Sequence, residues 1–74
     1  MRTIRFTALI EREDDGFVSL CPELDIASQG NTVEEARAML KEAVELFFEC
    51  ASEDEIQERL GGECYIVPME CSIA

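Results

Sequence analysis

Residues 32–51 constrain this chain more than any other stretch, because they read as one long helix in a sequence whose other apolar residues mostly alternate. Thr32-Val33-Glu34-Glu35 matches a capping box, in which the Thr side chain accepts from an orphan amide of the first turn and a Glu reaches back. Val33, Ala36, Leu40, Ala43, Phe47 and Ala51 then recur at threes and fours, and Val44 and Cys50 widen the stripe. Arg37, Lys41 and Glu45 fall on the wet side, and Phe48 lies at the core edge. One amphipathic helix covers one face of one sheet, so the fold must be a sheet with a helix on a single side.

The remaining segments supply that sheet. Residues 2–11 place Ile4, Phe6, Ala8 and Ile10 on one face, and Thr3, Arg5, Thr7, Leu9 and Glu11 on the other. Glu13-Asp14-Asp15-Gly16 closes a hairpin, with Gly16 expected to take the positive φ. Phe17 to Cys21 forms a second strand, ended by Pro22, and residues 26–30 form a brief third. Ser52 before Glu53-Asp54-Glu55 repeats the cap signature and opens a short helix to about Leu60, stopped by Gly61-Gly62. Tyr65, Val67, Met69, Cys71 and Ile73 alternate against Cys64, Ile66, Pro68 and Glu70, which predicts a closing strand at a sheet edge. The expected class is α+β, in the order β-β-β-α-β with a short helical link. A length of 74 residues makes residues 1–74 a single domain. A core this small leaves a thin margin of stability, which favours a second copy as partner.

Charge narrows the function. There are 17 acidic residues against 6 basic ones, for a formal net charge of −11 at pH 7. Arg2, Arg5 and Arg12 make only the first strand locally basic, whereas Glu13, Asp14, Asp15, Glu23 and Asp25 follow with no base among them. A nucleic-acid binder wants a basic stripe, so direct DNA or RNA binding is not expected, and a basic protein partner is the better match. No signal-like apolar region opens the chain and no apolar run is long enough to span a bilayer, so the expectation is a cytoplasmic protein off the membrane.

No residue pattern argues for catalysis. The chain has no His, so none of its serines can belong to a Ser–His–Asp arrangement within one chain. Cys21, Cys50, Cys64 and Cys71 lack the short spacing of a zinc knuckle and read as small hydrophobes in or near a reduced core. Gly61-Gly62 lacks the Lys-Ser or Lys-Thr of a phosphate loop. The acids Glu11, Glu13, Asp14, Asp15, Glu23 and Asp25 raise the alternative of a metal-dependent nuclease, but at a hairpin tip without basic partners they read as a solvated turn. The expectation is no catalytic residue, no metal and no cofactor.

Residues 11–36 resemble the central motif of the HicB family of antitoxins. The likeness rests on Asp15-Gly16, Cys21-Pro22-Glu23-Leu24, Ser28-Gln29-Gly30 and Thr32-Val33-Glu34-Glu35-Ala36, in that order and at matching spacing. Leu40-Lys41-Glu42-Ala43-Val44-Glu45-Leu46 extends it. The resemblance implies a pared-down ribonuclease-H-like sheet without catalytic acids. It also implies docking on a HicA-type toxin, a small basic mRNA endonuclease, whose RNA site and catalytic His are covered. Many HicB proteins add a C-terminal DNA-binding module, and this sequence shows only one strand after Gly62, so it resembles a short form. Many also have Pro-Gly near Asp25-Ile26, which is absent here.

The function expected is therefore a HicB-like antitoxin that forms a homodimer or tetramer and occludes a HicA-type RNase. Its partner-binding residues are Asp14, Asp15, Glu23 and Asp25, on the loops flanking the second strand. The alternative is an orphan oligomeric interaction module of the same fold with no toxin partner.

Overall fold

A computed structural model describes residues 3–74. Three strands, β1 (Leu9–Glu13), β2 (Gly16–Cys21) and β3 (Ile26–Gly30), form an antiparallel meander in the order β1-β2-β3. Two helices follow, α1 (Val33–Cys50) and α2 (Glu53–Gly61). The fold is α+β, with a three-stranded antiparallel sheet and two helices.

Both caps form. The Glu35 amide donates to Thr32 Oγ1 at 3.0 Å, and Glu35 Oε1 accepts from the Asn31 amide at 3.1 Å, one residue before the cap. At α2, the Glu55 amide donates to Ser52 Oγ at 3.2 Å. These bonds satisfy amides that would otherwise be orphaned in a first turn.

The core lies between α1 and the face of β2 that carries Ser19 and Cys21. Leu40 and Val44 of α1 bury against Cys21 and Leu24, with Phe6, Ile26 and Phe48 packed around them. Ser19 is buried as well, and its hydroxyl donates to the Ala36 carbonyl at 2.9 Å. Small Ser19 and Ala36 let helix and strand approach, and the hydrogen bond removes the cost of burying a polar group. Ile56 anchors α2. The opposite face of the sheet is open and partly apolar: Leu9, Leu20 and Ala27 stand in register across the three strands, beside a row of Glu11, Val18 and Gln29.

Several expectations are corrected. β1 starts at Leu9 rather than near residue 2, because its ladder runs out beyond Leu9–Leu20 as β2 approaches Pro22, which has no amide proton. Residue 2 lies outside the described residues. In the hairpin, Asp14 takes the positive φ, at 53°, and no glycine has one. Gly16 is needed for proximity instead: a Cβ there would lie 2.9 Å from the Gly30 carbonyl oxygen. In α1 the buried line is Ala36, Leu40 and Val44, while Val33 and Cys50, both placed on the apolar stripe, are exposed. The cysteines divide, with Cys21 buried and Cys50, Cys64 and Cys71 exposed. Residues 63–74 form no strand; they are extended in sequence beyond α2 and exposed along their whole length. The sheet ends at three strands, and the closing strand makes no ladder with any of them among the described residues.

Candidate functional site

The meander puts its two connections at opposite ends of β2, and the two ends hold their acids differently. At the hairpin end, Glu13 pairs with Gly16 and Phe17 with Gly30, so the β1–β2 turn, the end of β3 and the start of α1 come together. Glu13, Asp14, Asp15 and Glu35 surround an open depression of about 420 Å³, with Gln29 and Asn31 on its wall. Arg12, the nearest base in sequence, is turned onto the Phe17 ring, 4.7 Å from its centroid. All four carboxylates are on exposed residues. They face water at the positive end of the α1 dipole, which eases their mutual repulsion.

Gly30 makes this gathering possible. A Cβ at Gly30 would lie 2.5 Å from the Ala36 nitrogen and 2.8 Å from the Glu35 carbonyl carbon. Only a residue without Cβ lets β3 run so close under the first turn of α1, and that approach delivers Glu35 to the hairpin acids.

At the other end of β2, Glu23 is tied down. Its two carboxylate oxygens accept from the Thr7 amide at 3.0 Å and the Thr7 hydroxyl at 2.6 Å, and Cys21 Sγ lies 3.5 Å from Oε1. Partial burial pushes the Glu23 carboxyl up, but the Thr7 bonds, its own amide and the Cys21 thiol outweigh this and leave it below the usual glutamate value. Burial pushes the Cys21 thiol up, with Glu23 adding to the rise, so this thiol is a poor nucleophile. The Arg59 guanidinium donates to the Leu24 carbonyl and stacks 5.1 Å from the Phe47 ring centroid, which fastens α2 to the same loop. Asp25 is exposed and takes a φ of 54°, so its conformation closes the turn into β3.

Of the four residues expected to bind a partner, Asp14 and Asp15 therefore share the hairpin end, while Glu23 and Asp25 lie at the far end of β2. Glu23 bonds Thr7 there, and Asp25 makes a turn. Sequence reasoning grouped Glu13 with Asp14 and Asp15 at the hairpin but left it out of the partner-binding set, and it missed that Glu35 joins them. The available signal was the meander itself, which brings the β1–β2 turn and the β3–α1 junction to one end. Among the described residues, no three Cys, Asp or Glu side chains converge as ligands of a metal would.

Taken together, fold and surface define a small α+β module with one acidic end and no helix long and apolar enough to cross a membrane among the described residues. Comparison with known proteins places the chain more closely. It is 48% identical over 50 residues to a UPF0150 protein of Synechocystis sp., covering 65% of this chain and 69% of the relative. It is 34% identical over 68 residues to a UPF0150 protein of Helicobacter pylori strain J99, covering 90% of this chain and 94% of the relative. The chain belongs to the UPF0150 family. No family model matches it, and no solved structure does.

Proposed function

We propose that this chain is a partner-binding module of HicB-like type, which neutralises a small basic HicA-type RNase by covering its RNA site and performs no chemistry itself. The observation that carries the reading is the acidic hairpin end, where Glu13, Asp14, Asp15 and Glu35 gather without a base among the residues lining the depression. The net charge of −11 has the same sign. Charge of this kind steers and orients a basic protein. The motif likeness over residues 11–36 supports the choice of a HicA-type partner. In this reading Asp14 and Asp15 make the contact, and Glu23 holds the sheet that presents them. The working form is a homodimer or tetramer in the cytoplasm, in which residues 64–73 serve as the fourth strand.

The test is affinity capture of the tagged full chain from native lysate, with the captured proteins identified by mass spectrometry and assayed for RNase activity. A small basic protein that cleaves RNA only after this chain is removed supports the reading. The affinity should fall as salt rises. Capture of nothing but further copies of this chain would sink the toxin partner and leave the orphan module, which the exposed apolar residues 65–73 favour.

A further inference from the structure

Residues 63–74 and the free edge of residues 4–8 are each incomplete in the same way. Past α2 the chain carries Tyr65, Val67, Met69 and Ile73 on alternate positions, and their exposures are 77%, 67%, 88% and 91%. The radius of gyration, 14.5 Å, exceeds the roughly 11 Å expected of a compact chain of this length, and the long axis reaches 50 Å. On the body, an open groove runs between residues 4–8 and α1. One part, of about 600 Å³, is walled by Phe6, Ala8 and Leu40 together with the charged Glu34, Arg37 and Lys41; the next, of about 660 Å³, by Ile4, Phe6, Val44 and Phe48 together with Lys41, Glu45 and Glu49.

We infer that the C-terminal segment of one copy lies in this groove of a second copy, as a fourth strand beside residues 4–8, the stretch that leads into β1, and that the exchange is reciprocal. The inference rests on the oligomer of the preceding reading and is independent of the toxin. Backbone geometry supports it. The Thr7 amide is used toward Glu23, on the β2 side. By alternation, the backbone groups of Phe6 and Ala8 face the free edge, where a strand can pair. Pro68 then selects the register. It cannot donate to a ladder, so it belongs on the outer edge, which is the position of an added strand. With Pro68 outward, the backbone groups of the odd-numbered residues face residues 4–8 and their apolar side chains share one face, turned into the groove. Each copy gives and receives about twelve residues, in keeping with the roughly 20–30 residues a side of a standard interface. A twofold arrangement satisfies both edges at once.

The experiment uses the full chain under reducing conditions, so that exposed Cys50, Cys64 and Cys71 do not cross-link copies. Light scattering after size exclusion should show a dimer or tetramer, and Val67→Asp should raise its dissociation constant at least about 100-fold by burying a charge in the groove. Circular dichroism and urea unfolding of Val67→Asp should retain a folded body, because Val67 is exposed and outside the core cluster of its own chain. In the assembled wild type, the amides of residues 65, 67, 69, 71 and 73 should exchange slowly and those of 66, 70 and 72 quickly. A monomeric wild type overturns the inference, whether its tail amides are protected by folding back or open. An oligomer that survives Val67→Asp, or one whose odd-numbered tail amides exchange freely, overturns it too.

Discussion

The two ends of β2 carry the same residue types to opposite effect. At the loop end, Glu23 is bonded to both polar groups of Thr7, Leu24 is buried, and Arg59 clamps the Leu24 carbonyl while covering Phe47. At the hairpin end, Glu13, Asp14 and Asp15 are exposed, and Glu35 bonds the Asn31 amide. An acid that is partly buried and doubly bonded belongs to the fold; Glu13, Asp14 and Asp15 are exposed to water instead. Residue type does not separate the two uses, but burial and partners do.

The sharpest way to break the contrast is at Gly30, where a side chain would force β3 off α1 and scatter the hairpin acids. Gly30→Ala is predicted to cost about 3 kcal/mol, read as a lower urea midpoint, because its Cβ would meet backbone that cannot move alone. Unchanged stability would mean that the close approach of β3 to Ala36 is not a feature of the folded protein. At the loop end, Arg59→Ala should cost about 1–2 kcal/mol through loss of the Leu24 bond and the cover over Phe47. Protection of the α2 amides should fall with it.

Glu23 gives a smaller effect with a pH signature. Its folded pKa lies below its unfolded one, so in that window the unfolded chain binds the extra proton and stability rises with pH. The contribution is present above the ordinary glutamate range and is lost as pH falls through the lowered value. Glu23→Gln should cost about 1 kcal/mol at pH 7 and converge on the wild type in acid. A constant gap between the two at all pH values would contradict the Thr7 clasp. The smallest effect on stability is expected at Asp15, where Asp15→Asn should stay within about 0.5 kcal/mol of wild type. The same change should weaken binding of a basic partner, most visibly in a lower association rate at low salt. If it lowers stability as much as Glu23→Gln does, the hairpin end is structural as well and the contrast between the ends collapses.

Local signals carried much of the fold. Thr32 and Ser52 cap their helices, residues 26–30 form a strand, and Ala36, Leu40 and Val44 face inward, as spacing and cap chemistry required. The hairpin was legible too, but not which residue bears its strain: Asp and Gly both tolerate positive φ, and the register that pairs Glu13 with Gly16 puts Asp14 and Asp15 in the turn and Gly16 in the strand. The site was half legible. Asp14 and Asp15 are neighbours in sequence, whereas Glu35 reaches them only through the β3–α1 junction. The role of Glu23 depended on Thr7, sixteen positions earlier, and sequence spacing carries no information about a pair that distant.

By itself, then, the sequence determined what is local: where helices start, where turns fall, which residues alternate, and an overall acidity. Caps, periods and turn chemistry act within a few residues, so they can be read in order along the chain. Tertiary structure alone decided which end of β2 holds free acids and which holds bonded ones, that Ser19 is core while Val33 and Cys50 are surface, and that residues 63–74 leave the body without a partner strand. Those outcomes depend on burial and on pairing between distant segments, and a strand has no ladder until something lies beside it.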